Sequence, residues 1–150
     1  MIHIEVNPSL QTDITQDMLE RAAQAVLVHQ SADGDLTIVL TDDAKLRELN
    51  RDYLGIDAPT DVLSFPASET DPETARPYLG DILISIPRAE QQAHAAGHAL
   101  EAEVQLLAVH GTLHLLGHDH AKAEEKALMW KAQAEVLERL GLPGIEVREA

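Results

Sequence analysis

The chain has 150 residues, which predicts one domain, residues 1–150, long enough to bury a sizeable core. Eleven basic residues against 26 acidic ones give a formal net charge of −15, which excludes nonspecific adhesion to nucleic acid or an anionic membrane through a broadly cationic surface. The absence of cysteine excludes both a disulfide framework and a thiolate metal site. Aromatic residues make up only 3% of the chain, so the core must be built from Leu, Ile, Val and Ala.

In chain order, Ile2–Val6 alternates apolar and polar residues as a first strand does. It carries neither the basic nor the apolar region of a secretory signal. No apolar run approaches a membrane span, so the expectation is a soluble cytoplasmic protein without membrane association. Residues 12–30 carry Met18, Leu19, Ala22, Ala25 and Val26 at helical spacing, with Thr15 as N-cap. Asp33-Gly34 is a turn, and Leu36–Leu40 is a β-rich run suited to a buried strand. Thr41-Asp42-Asp43 starts a second helix, with acids at the positive end of its dipole; it carries Leu46, Leu49 and Tyr53 and ends near Gly55.

Residues 57–61 are loop chemistry, and Val62–Phe65 is a short strand closed by Pro66. Residues 67–79 are polar and read as an exposed excursion. Residues 80–86 form a fourth strand, and Pro87 then suits the first position of a helix running to Gly97. Residues 100–116 are apolar on nearly every face apart from an acidic start and the histidines, which predicts a buried central helix ended by Gly117. Residues 121–140 form a long amphipathic helix ending at Gly141. Strands separated by helices predict parallel neighbours, and the loop between the third and fourth strands allows an antiparallel edge. The expected class is α+β, a small mixed sheet of about four strands packed with about five helices. The two basic clusters, Lys45, Arg47 and Arg51 and then Lys122, Lys126 and Lys131, read as solvated helix surface.

Four of the eight histidines fall between residues 110 and 120, in the run His110-Gly111-Thr112-Leu113-His114-Leu115-Leu116-Gly117-His118-Asp119-His120. Residues four apart share one helix face, so His110 and His114 project side by side. A third ligand on the same helix would be badly placed. Gly117 resolves this by ending the helix with a backbone open to positive φ, so that the returning chain presents His120. Three imidazoles with one open position is the arrangement of a catalytic zinc. Imidazole sites also suit nickel, copper or iron. A core of hydrogen-bonded histidines is the bland alternative, but no acids on that helix face would satisfy them. His118 reads as a group supporting the ligands or as a surface residue. Asp119 either orients a ligand imidazole or caps the turn after Gly117. His3, His29, His94 and His98 receive no role. The metallopeptidase pattern H-E-x-x-H has a glutamate where this chain has Gly111, so the peptide-hydrolysis base is missing.

The histidine run, together with Pro59-Thr60-Asp61-Val62-Leu63-Ser64-Phe65-Pro66 and Gly80-Asp81-Ile82, resembles the YbeY family of bacterial rRNA maturation endoribonucleases. Residues 50–57 lead into the second block as they do in that family, and the resemblance covers essentially the whole chain. It implies a zincin-like α+β fold with the metal site at the central C-terminal helix. It implies a single-strand-specific, metal-dependent endoribonuclease acting in 16S rRNA processing, late ribosome maturation and ribosome quality control. The implied metal ligands are His110, His114 and His120, the implied cofactor is one zinc ion, and the implied partners are rRNA and the pre-ribosomal small subunit. Like-charge repulsion between RNA and so acidic a chain points in addition to a protein partner, such as a ribosomal protein, that delivers the substrate. The family commonly has Arg-Gly-Lys after the aromatic residue, whereas here Tyr53 is followed by Leu54-Gly55-Ile56. Arg51, Arg76 and Arg88 are the candidate replacements for the lost cation. Asp61 and Asp81, at strand edges, read as loop and cap acceptors. Two readings compete with RNA cleavage: a metal-dependent hydrolase of a peptide or small ester, and a non-catalytic assembly factor whose structural metal is closed by His118.

Overall fold

The computed structural model describes residues 1–70, 72–73, 75–142 and 145. The elements follow in the order β1 (Ile2–Val6), α1 (Gln16–His29), β2 (Asp35–Thr41), α2 (Asp43–Leu54), β3 (Val62–Thr70), β4 (Pro77–Ser85), α3 (Ile86–Ala96), α4 (Leu100–Leu115) and α5 (Ala123–Arg139). The four strands form one sheet in the order β1-β2-β4-β3. β1 and β4 both run parallel to β2, because each connection passes through a helix. β3 runs antiparallel to β4 as the edge strand. The expected α+β class and mixed sheet are what the chain adopts.

Alternation along the strands sends side chains to both faces. Leu36, Ile38, Leu40, Ile82 and Ile84 face the main core, where Leu19, Ala22 and Val26 of α1, Val104 and Leu107 of α4, and Met129 and Val136 of α5 close over them. Leu63 and Leu83 point the other way and meet Leu46 of α2. α4 is buried along most of its length, as its uniform apolarity predicts. Its acidic start includes Glu103, which is nevertheless buried. On α2, Tyr53 does not join the buried face; its ring is exposed and meets Phe65 edge-on. Asn50 is buried instead, with its Nδ2–H donating to the carbonyl of Ala58 at 2.9 Å.

Two sequence expectations fail at one place. Pro66 does not close β3, and residues 67–79 are not a free excursion, since β3 and β4 extend into them as a long hairpin; residues 71 and 74 lie outside the described ones. Proline lacks the ladder N–H but is tolerated on an edge strand. Opposite it, Gly80 adopts φ +136, and a Cβ there would stand 2.2 Å from the carbonyl oxygen of Phe65. The close approach of the two backbones therefore requires glycine.

Helix ends fall where capping chemistry puts them. Thr15, Asp42 and Ser85 accept backbone N–H bonds at the starts of α1, α2 and α3. Among the described residues, no helix is long and apolar enough to cross a membrane.

Candidate metal centre

α4 ends in a left-handed glycine turn. Gly117 adopts φ +99, its N–H donates to the carbonyl of His114 at 3.0 Å, and the His118 N–H donates to that of Leu113 at 3.0 Å. These are the two bonds of a Schellman ending, and they reverse the chain. Asp119 Oδ1 then accepts the N–H of the next residue, His120, at 2.7 Å. The result brings His120 back to the two helical imidazoles. Ligand atoms of His110, His114 and His120 all lie within 4.8 Å of one another. Their ring centroids are 4.6 to 5.6 Å apart. Trp130 of α5 walls the group, with its ring edge-on to His110 and His120.

Hydrogen bonds fix which nitrogens face inward. His110 Nδ1 is 3.0 Å from Gln133 Oε1, and His114 Nδ1 is 2.8 Å from the carbonyl oxygen of His118. Both partners are acceptors, so both Nδ1 atoms carry the proton. Burial and the neighbouring His114 push the His110 pKa down to about 4, and burial lowers that of His114, so both rings are neutral at pH 7. Each Nε2 therefore presents a lone pair. These two atoms are 3.1 Å apart, and neither has a proton to share. Two facing lone pairs repel unless a cation sits against both. In a tetrahedral zinc site with bonds of about 2.0–2.1 Å, neighbouring nitrogens stand about 3.3 Å apart. The donor set, its protonation and its spacing fit a divalent ion.

Gln133, Trp130 and the His118 carbonyl had no sequence signal tying them to the site. Gln133 is a polar position buried within the apolar stripe of α5. The His118 ring turns away from the three imidazoles. Its Nε2–H donates to Gln30 Oε1 at 2.8 Å, Gln30 Nε2–H donates to His29 Nδ1 at 2.9 Å, and His29 Nε2–H donates to Glu135 Oε2 at 2.7 Å. His29, given no role from sequence, thus belongs to a chain of bonds steadying the segment that orients His114.

The imidazoles open into a cleft of about 760 Å³ whose walls come from the α2–β3 loop, β3, the start of α3 and the turn after α4. Gly111 does not face this cleft. Its carbonyl accepts the Ser64 hydroxyl at 3.2 Å, and a Cβ there would stand 2.8 Å from Ile82 Cγ2. The sheet packs where a peptidase glutamate would have to start. Leu54 and Asp61 line the cleft, and Asp61 Oδ1 accepts the Val62 N–H at 2.8 Å. Asp81 lies outside it, accepting the hydroxyl of Tyr78, whose pKa burial and Asp81 push up to about 12. Of the three arginines proposed as replacement cations, Arg51 pairs with Asp52 on exposed α2, and Arg76 bonds Asp33 and Asp35. Only Arg88 lines the cleft.

Residues 3–141 match the family described as Endoribonuclease YbeY. A protein of that name from Brevibacillus brevis is 40% identical over 154 residues, covering 95% of this chain and 96% of the relative. One from Pelotomaculum thermopropionicum is 47% identical over 130 residues, covering 83% and 86%. The solution structure of TM1509 from Thermotoga maritima superposes with a TM-score of 0.59 at 26% identity, over 94% of this chain and 92% of that one. The histidine constellation and its cleft thus sit in a chain similar to these proteins along nearly its full length, and the chain belongs to the YbeY endoribonuclease family.

Proposed function

We propose that this chain is a single-domain, metal-dependent endoribonuclease that cleaves single-stranded RNA. We place its action in the cytoplasm, on 16S rRNA precursors, in late maturation and quality control of the small ribosomal subunit, with a ribosomal protein delivering the substrate to this acidic chain. The observation that carries the reading is the pair of neutral imidazoles whose Nε2 atoms face each other at 3.1 Å in an open cleft, in a chain of this family.

His110, His114 and His120 hold the ion, for which zinc is the proposed identity. Gln133 and the His118 carbonyl lock the tautomers that point Nε2 inward, the supporting role that metal-binding histidines require. Asp119, whose Oδ1 accepts the His120 N–H, positions His120. When bound, a divalent ion polarises a phosphoryl oxygen and lowers the pKa of water towards about 7. Trp130 shields one side of the imidazoles from solvent.

Two observations count against the peptidase and structural-metal readings. Gly111 packs on Ile82, leaving no place for a peptidase glutamate. The His118 ring is committed to Gln30, so it does not close a four-ligand structural site.

The test is metal analysis of the purified protein paired with cleavage of single-stranded RNA and of a peptide library, each with and without chelator. The expected result is about one zinc per chain and RNA cleavage lost on chelation. His114→Ala should lose both the metal and cleavage. Cleavage by a metal-free His114→Ala protein would refute the mechanism; chelator-sensitive hydrolysis of peptides alone would refute the substrate. Cleavage only in the presence of a ribosomal protein would support delivery by that partner, and efficient cleavage of free RNA at physiological salt would remove the need for it.

A further inference from the structure

Among the described residues lining the cleft, Arg88 is the only lysine or arginine. It stands in the first turn of α3, whose N-terminus carries partial positive charge. Its guanidinium is held on one edge only. Nε and Nη2 donate to the carboxylate of Asp43 at 3.4 and 3.1 Å. Asp43 is itself fixed by the Ser85 hydroxyl, which donates to Oδ1 at 2.7 Å. The side chain is about one-third exposed, at 30%. A guanidinium carries five N–H donors. Asp43 takes two, which leaves the Nη1–Nη2 edge to face a second oxyanion.

We propose that Arg88 binds the RNA backbone, its Nη1–Nη2 edge taking two non-bridging oxygens of one phosphodiester in the strand that enters the cleft. This rests on the reading of the substrate as RNA. An arginine braced by a carboxylate on one edge is pre-aligned, so little side-chain freedom is lost when the phosphate docks. The need for such a group is acute here. The chain carries a formal charge of −15, and Asp61 and Asp119 also line the cleft. Apart from the ion at the three histidines, Arg88 is the cation that offsets these carboxylates along the path of an entering phosphodiester.

The test compares wild type, Arg88→Gln and Arg88→Lys as zinc-loaded proteins. Binding of a fluorescent single-stranded 2′-O-methyl RNA oligonucleotide is followed by anisotropy across a salt series, with cleavage kinetics on the unmodified RNA alongside. Arg88→Gln should bind about 10- to 100-fold more weakly, the range for a charge-assisted bidentate contact. Its slope of log affinity against log salt should be shallower by about 0.7, one phosphate's worth for a single strand. Arg88→Lys should keep the slope and recover only part of the affinity, because an ammonium is a point charge and not a fork. The slope is read from bound molecules, so partial unfolding lowers the signal without altering it. An unchanged slope and affinity in Arg88→Gln would overturn the proposal, and full recovery in Arg88→Lys would overturn the bidentate geometry. Wild-type protein that binds the RNA without cleaving it would refute the proposed function while leaving the Arg88 comparison intact. Wild type that cleaves, with Arg88→Gln equal to it in all three readings, would refute this inference alone.

Discussion

Gly111→Ala tests whether the glycine beside the first ligand is a packing requirement. In a helix interior, Gly→Ala ordinarily stabilises by about 1 kcal/mol. Here the added Cβ would meet Ile82 Cγ2 at 2.8 Å, Ile82 Cγ1 at 3.3 Å and Ser64 Oγ at 3.1 Å. Carbon atoms pack best at about 3.5–4.0 Å. Ile82 must therefore retreat, yet it is fully buried between neighbouring strands and has nowhere to go. Overpacking of this kind costs about 1–3 kcal/mol, so the net expectation is about 0–2 kcal/mol of destabilisation. At this chain length that lowers Tm by up to about 8 °C. Urea denaturation of the two proteins, zinc-loaded and with chelator, measures it. In an Ile82→Ala background the same substitution should regain its ordinary helix benefit, giving a coupling of about 1–3 kcal/mol. A Gly111→Ala protein more stable than wild type by about 1 kcal/mol would refute the argument. Gly111→Glu should fare worse, because a carboxylate aimed at the sheet is buried without a partner, and it should gain no peptidase activity.

Three further outcomes follow from the site. Gln133→Ala should weaken zinc affinity by about 10- to 100-fold while His110 remains in place, since its Nδ1–H loses its acceptor; competition with a chromophoric chelator reads this. Gly117→Ala forces a side chain onto φ +99, so it should destabilise by about 1–2 kcal/mol and loosen His120, seen as a faster zinc off-rate. The metal-free protein should lose stability as pH falls from about 6.5 to about 4. In that window the unfolded His110 imidazole takes a proton that the folded one refuses, because burial holds its pKa down to about 4. That group contributes a slope of at most about 1.4 kcal/mol per pH unit, flat above and below the window, and denaturant titrations with chelator would show it.

Residue order reveals the features of this chain that local forces set. The cap at Thr15, the acidic start of α2, the helix stop at Gly117 and the all-round apolarity of α4 are set within a few residues, and each is readable from residue order. The three-histidine convergence is readable for the same reason, since one helical face and one glycine turn suffice to build it. Pro66 and residues 67–79 misled because edge strands are held by backbone pairing with a distant partner, and that pairing leaves little trace in side-chain pattern.

What the chain order determined by itself is therefore the element sequence, the mixed α+β class and the identity of the three converging imidazoles. Only the tertiary structure decided what surrounds them. Gln133, 23 residues from His110, fixes its tautomer. Gln30, 88 residues from His118, claims that ring for support and removes it from the site. The sheet fills the space beside Gly111, so its lack of a side chain is a steric demand as well as a missing base. Asp43 and Ser85, from two other elements, brace Arg88 at the cleft. Each of these is a contact between segments far apart in sequence, set by how the helices pack on the sheet, and no spacing along the chain encodes it.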